Sequence, residues 1–172
     1  MKGSEFDFAK ELKNLQQEFD ESFSKPVKSV AGEFINGLIV NIQDDRYVVK
    51  MHEVKSIETK KEIVPLPNSH SNLLGLANLQ SRIVPVYCLE MLMGYQKSKN
   101  ADWLITCGDT ETIALAFEEF EGQFNIPKDA IFLHEGASAN LPIEGGVQIG
   151  NKKGLIIRIP VIIETIRNLH KG

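Results

Sequence analysis

Two cysteines and four histidines are the side chains of this chain best suited to nucleophilic or metal chemistry, and their spacing argues against both. Cys88 stands two residues before Glu90, and His70 could act as a base toward a thiol. Nothing in the pattern, however, builds an oxyanion site or activates the sulfur. Cys88 lies in the apolar run from Val84 to Leu89, and Cys107 in the run from Trp103 to Cys107. Cysteine in such runs behaves as a small buried hydrophobe, which suits a reducing compartment. His52, His70, His134 and His170 are scattered, none at ligand spacing with another histidine or a cysteine, so no metal is expected. Glu118, Glu119 and Glu121 read as a solvated loop face rather than paired acid and base. Gly145-Gly146 lacks the further glycines or lysine of a phosphate loop. The expectation is a chain with no catalytic residue, no cofactor and no small-molecule substrate, whose working parts are binding surfaces.

Composition narrows the partners. The chain has 172 residues, 42% of them hydrophobic and 24% charged, enough to bury a core. Its net charge of −4 offers no basic footprint for a phosphate backbone, so nucleic acid is not an expected partner. No run approaches the roughly 18 apolar residues that span a bilayer, and the N-terminus lacks the apolar centre of a signal peptide. No membrane insertion is expected, and the location expected is the cytosol.

Phe8, Leu12, Leu15, Phe19 and Phe23 recur at intervals of three and four, which predicts an amphipathic N-terminal helix ended by Pro26. Packing on its own domain is its leading reading, with docking onto a partner and a mostly unfolded tail as the alternatives. Residues 1–32 are expected to form this helix and a linker, and residues 33–172 the domain. From Phe34 the pattern turns to short runs rich in Ile and Val. Gly37 to Ile42 and Tyr47 to Met51 predict a hairpin around Gln43-Asp44-Asp45-Arg46, whose acidic pair supplies the turn chemistry. Leu73 to Leu79 and Arg82 to Val86 form a second strand pair around Gln80-Ser81. Cys88 to Met93 reads as one or two helical turns stopped by Gly94. Trp103 to Cys107 with Thr112 to Phe117, and Val147 to Gly150 with Gly154 to Ile159, predict two further hairpins. Gly136 to Pro142 reads as a surface loop open to a binding role. Pro160 to Leu169 predicts a closing helix with proline in its first turn and Arg167 near its end.

The design repeats. Val49, Met51 and Val54 have counterparts in Leu115, Phe117 and Phe120 at an offset of 66 residues. A second echo sets Gly75, Ile83, Val84 and Leu89 against Gly146, Leu155, Ile156 and Ile162. Two similar β units of about five short strands each, sharing one hydrophobic seam, are expected.

The run Asn78-Leu79-Gln80-Ser81-Arg82-Ile83-Val84-Pro85-Val86-Tyr87-Cys88-Leu89 resembles, without a gap, the signature Asn-Leu-Arg-Gly, three variable positions, Pro-Val, one variable position, Asp-Leu of CheW-like proteins. Ile63 to Asn68, Leu74 to Ala77 and Val54 to Ile57 are similar to segments of the same family, and the likeness covers Phe34 to Leu169. The resemblance implies a mainly β fold of two SH3-like five-stranded barrels. It also implies a non-catalytic adaptor joining chemoreceptor cytoplasmic tips to the regulatory domain of a CheA-type histidine kinase. On the family pattern Gln80, Arg82, Val54 and Ile57 face a partner, with Asn78 holding the turn.

Three positions depart from that pattern. Gln80 replaces Arg, Ser81 replaces Gly and Cys88 replaces Asp. Gln cannot make the bidentate, charge-assisted contact of an arginine, and Arg82, two positions on, is the expected compensation if both share a strand face. Losing the glycine implies an altered turn. If the family's Arg and Asp meet, this chain has lost the pair together. The chain then reads as a divergent member serving chemotaxis, pilus motility or another array, or as a degenerate domain with a structural or regulatory role.

Overall fold

The computed structural model describes residues 8–22, 32–59, 61–133 and 140–171. Phe23, the linker residues 24–31, His134 and the loop residues 136–139 fall outside them. Helix α1 spans Phe8–Ser22. Then follow β1 (Phe34–Ile42), β2 (Asp45–Lys50), β3 (Val54–Thr59), β4 (Ile63–Val64), β5 (Leu73–Leu79), β6 (Arg82–Cys88) and the short helix α2 (Leu89–Leu92). The second half runs β7 (Trp103–Cys107), β8 (Ile113–Phe117), β9 (Glu119–Pro127), β10 (Ile131–Leu133), β11 (Ile143–Ile149), β12 (Lys152–Ile157) and α3 (Ile159–Leu169).

The twelve strands make two sheets whose orders are the same once the halves are exchanged. One is β10-β11-β12-β2-β1-β9, the other β4-β5-β6-β8-β7-β3. Each half of the chain gives its opening hairpin to the other half's sheet. The joints are parallel in both: β12 pairs with β2 through Ile156 and Val48, and β6 with β8 through Val86 and Ala114. The repeat is thus six strands and a helix, one strand more per unit than the pattern suggests. The extra members, β4 and β10, are only two and three residues long.

The first echo holds at its offset of 66, which carries Val48 onto Ala114. The second needs correction, because equivalent pairing sets Val86 against Ile156 and therefore Leu89 against Ile159, and Gly75 against Gly145 rather than Gly146. Both glycines follow a register shift at the start of their strand. A Cβ at Gly75 would strike the Val64 carbonyl of β4, and one at Gly145 the Phe132 carbonyl of β10. The twin glycines let the sixth strand close over each unit.

Exchange of the hairpins explains the core. Strands β1, β2, β7 and β8 are covered on both faces, so they read as near-continuous apolar runs instead of an alternation. Ile39, Val48, Val147 and Ile156 fill the interior of one unit. Ala77, Leu79, Val84, Val86, Leu104 and Ala114 fill the other. Between them lies the largest cluster, where Leu38, Val40, Val49, Ile105, Leu115 and Phe117 meet Ile159, Ile162 and Ile166 of α3. This is the expected seam. Leu12 and Leu15 of α1 are buried in it, at 3% and 4% exposure. Trp103 is half-buried against the same cluster, its ring tilted 56° to that of Phe120 with centroids 5.0 Å apart.

The hairpin turns are tighter than expected. Ile42 pairs with Asp45, so Gln43 and Asp44 alone form the first turn and Asp45 already belongs to β2. Ile149 pairs with Lys152 around Gly150 and Asn151.

Candidate functional site

The β5–β6 hairpin carries three of the residues singled out by sequence. Leu79 pairs with Arg82, leaving a two-residue turn in which Gln80 and Ser81 both have left-handed backbone, φ 52° and φ 64°. That is the geometry whose twist matches a hairpin, and it favours Gly, Asn or Asp. The turn adopts this geometry with Gln and Ser at its two central positions.

Alternation along the two strands sorts the side chains. Ala77, Leu79 and Val84 are buried inside the unit, so Leu76, Asn78, Ile83 and Pro85 lie on the outer face. Across the ladder Val64 pairs with Leu76, Leu76 with Pro85, and Asn78 with Ile83. Ile83 is 68% exposed and Val64 57%. An apolar outer stripe of Val64, Leu76, Pro85 and Ile83 thus runs beside exposed Asn78, and Gln80 caps its end. Ile83 and Val64 were not singled out by sequence, although the signal is there. With Val84 and Val86 inward, a period of two puts Ile83 and Pro85 outward.

Arg82 does not share a strand face with Gln80. It lies opposite Leu79 on the inward-facing side, exposed because it stands at the end of the unit, whereas Gln80 is a turn residue. The idea that positions 80 and 88 meet is overturned too. Gln80 is at the tip of the hairpin and Cys88 at the far end of β6, roughly 20 Å along a strand that rises ~3.3 Å per residue.

Val54 and Ile57 sit elsewhere. They belong to β3, at the opposite edge of the sheet, with β7 and β8 between them and the hairpin strands. Both are half-buried against the seam, Val54 opposite Cys107 and Ile57 opposite Ile105. The structure gathers Asn78, Gln80 and Arg82 and leaves Val54 and Ile57 apart.

The chemistry-capable groups are held in structural roles. Cys88 is buried, its Sγ donating to Glu90 Oε2 at 4.0 Å, and Glu90 Oε2 also accepts the Ser98 amide at 2.7 Å. Burial pushes the Cys88 thiol up, and pushes Cys107 up to about 12. A thiol so held is a poor nucleophile. His170 accepts or donates at 2.6 Å to the Tyr87 hydroxyl at the end of α3. Glu121 is paired with Arg46 at 2.5 Å. Among the described residues no group of three or more His, Cys, Asp or Glu could hold a metal, and no helix is long and apolar enough to cross a membrane.

A pair of interlocked β units with an exposed apolar stripe, and thiols held protonated in the core, defines a β scaffold built for contact with other proteins. The family model for the CheW-like domain matches residues 36–167, and the chain belongs to that family. At the level of the family it is a chemotaxis scaffold or adaptor, of a non-catalytic class. Among solved structures it is similar to the scaffolding protein TtCheW from Thermoanaerobacter tengcongensis, with a TM-score of 0.65 and 17% sequence identity over 73% of this chain and 89% of that one. At that identity the likeness shows the fold. No curated protein matches the chain.

Proposed function

We propose that this chain is a cytoplasmic adaptor that couples chemoreceptor cytoplasmic tips to the regulatory domain of a CheA-type histidine kinase. The observation that carries the reading is the outer stripe of Val64, Leu76, Pro85 and Ile83, rimmed by Asn78 and by Gln80 in a two-residue turn. Its action is to hold two partners in one geometry, where burial of apolar surface supplies affinity and the polar rim sets register. Residues 33–172 are the adaptor unit. Asn78 and Gln80 face one partner together with Ile83, Arg82 reaches it from the other side of the same hairpin end, and Val54 and Ile57 serve a second contact at the β3 edge.

The test is calorimetric titration of the full chain with the regulatory domain of a CheA-type kinase from the same source, repeated with Ile83→Asp and Arg82→Ala. Micromolar binding, weakened about tenfold or more by Ile83→Asp, is the expected result. The replacement of Arg by Gln at 80 supports a second reading, a degenerate domain with a structural or regulatory role. Absence of binding to both the kinase domain and receptor tips favours it.

A further inference from the structure

The two units are twins in strand pairing but not in what fills them. In the unit of β5 and β6, Ala116 of β8 pairs with Leu104 of β7, both lie buried in the interior, and Leu74 packs against the same cluster. The counterpart of Ala116 is Lys50 of β2, two residues beyond Val48 as Ala116 is two beyond Ala114, and Lys50 pairs with Gly37 of β1. The counterpart of Leu74 is Glu144, since each stands just before its twin glycine at the register shift. Two leucines and an alanine in one interior are thus answered by a glutamate, a glycine and a lysine in the other.

The exchange leaves space. A cavity of about 190 Å³ opens at this end of the unit of β11 and β12, walled by Ile35, Val48, Ile126, Ile131 and Ile156, with Lys50, Lys128 and Glu144 as its polar lining. An apolar cavity of about 150 Å³ holds one benzene ring, so this one takes a body of ring size. Lys50 Nζ lies against Glu144 Oε2 and 3.7 Å from Glu53 Oε1, and Lys128 Nζ is 2.5 Å from Glu33. Both ammoniums are therefore matched, and the three carboxylates of Glu33, Glu53 and Glu144 outnumber them by one. Glu144 Oε2 is buried and, among the described residues, makes no hydrogen bond. The Lys50 and Glu144 side chains are only 17% and 30% exposed, and an ion pair so withdrawn from water stabilises no better than the packed apolar side chains of the other unit. What it adds is an acceptor on the wall of an apolar cavity, the arrangement of a ligand site.

We propose that this cavity binds a small hydrophobic primary amine, with a ring-sized body between the isoleucines and its ammonium on Glu144. The ammonium supplies the donor that Glu144 Oε2 lacks and cancels the excess negative charge. Lys50 keeps Glu53 as its partner when Glu144 turns to the ligand. A carboxylate head would add to the excess, and a neutral head would leave it. This site is independent of the kinase-coupling reading, since its test contains neither kinase nor receptor.

The experiment titrates the full chain by calorimetry with phenethylamine, phenethyl alcohol and hydrocinnamate, which carry one ring on a cationic, a neutral and an anionic head. The amine is expected to bind about tenfold or more tightly than the alcohol, and the acid not measurably. Glu144→Gln, which keeps the shape of the wall, is expected to erase that preference. Methyl spectra of the isoleucine-labelled chain locate the ligand, with shifts expected at Ile35, Ile126, Ile131 and Ile156 and none at Ile83 on the outer face of the other unit. Lys50→Ala/Glu144→Leu gives the wall the residues of its twin and is expected to melt cooperatively at an unchanged or higher urea midpoint and to lose the amine. If that double variant does not fold, Glu144→Gln and the methyl shifts decide the matter alone. Failure of the unmodified chain to bind the amine, equal affinity for the three heads, a preference that survives Glu144→Gln, shifts away from the cavity, or binding by the folded double variant overturns the proposal.

Discussion

The Tyr95 hydroxyl donates to Asp45 at 2.6 Å and lies 2.5 Å from the hydroxyl of Tyr47. Since Tyr95 has one proton and gives it to a carboxylate, Tyr47 must be the donor in the second bond. Tyr47 is fully buried, and burial holds both phenols well above the usual tyrosine range. The chain of bonds joins the first hairpin to the segment that follows α2. Tyr95→Phe removes the acceptor and strands the Tyr47 hydroxyl, at an expected cost of about 1–3 kcal/mol. Adding Tyr47→Phe should recover part of that loss, because it removes the stranded group. Urea denaturation of the two single variants and the double variant measures the coupling, and strictly additive costs would contradict the account.

Ser81 pays for the left-handed turn. A non-glycine residue at φ 64° is strained, so Ser81→Gly is expected to raise stability by roughly 0.5–1 kcal/mol. A shifted denaturation midpoint at constant slope would register it. A loss of stability would mean that the serine makes a contact outweighing its backbone strain.

Gly75 and Gly145 should respond alike because they occupy equivalent places. Alanine at either is driven against the carbonyl of the closing strand, and each substitution is expected to cost roughly 2–4 kcal/mol. Gly150, in an open turn with no atom near a would-be Cβ, is a control for backbone strain without a clash. A cost at Gly150 as large as at the twin positions would count against close approach as the cause.

Glu53 gives the stability a pH dependence of known sign. Burial holds its carboxyl above the ordinary range, against the pull of Lys50 and of the Ile159 amide, which donates at 3.4 Å. A group whose pKa is raised in the native state binds more protons there than in the unfolded chain. Its contribution to stability is therefore most favourable below the ordinary value of 4.5 and is lost as pH rises through the folded pKa. Glu53→Gln keeps an acceptor for the amide and removes the titration. The stability of the variant relative to the unmodified chain should rise between about pH 4 and 7 in urea melts. A flat or falling difference would contradict the assignment.

Much of this fold is legible in the residues. The four hairpins, the α2 turn before Gly94, the proline-led α3 and the 66-residue echo of Val49 in Leu115 all follow from local patterning, which reports pairing between neighbours in sequence. The exchange of opening hairpins between units is not legible, because it depends on the parallel joints of β6 with β8 and β12 with β2, contacts with no local signature. The same limit misassigned Gly146 and Ile162 in the second echo. At the site, Asn78, Gln80 and Arg82 fall together because one turn carries them. Ile83 was hidden inside an apolar run whose alternate members point outward, and Val54 and Ile57 are distant because strand order is not sequence order.

The proposed adaptor role requires this chain to join receptor to kinase. The most direct measurement is co-sedimentation of a chemoreceptor cytoplasmic fragment, assembled on vesicles, with a CheA-type kinase, in the presence and absence of the full chain. The chain is expected to enter the pellet with the receptor and to increase the kinase recovered there, and Ile83→Asp to lessen the increase. Kinase recovery that is the same with and without the chain would contradict it.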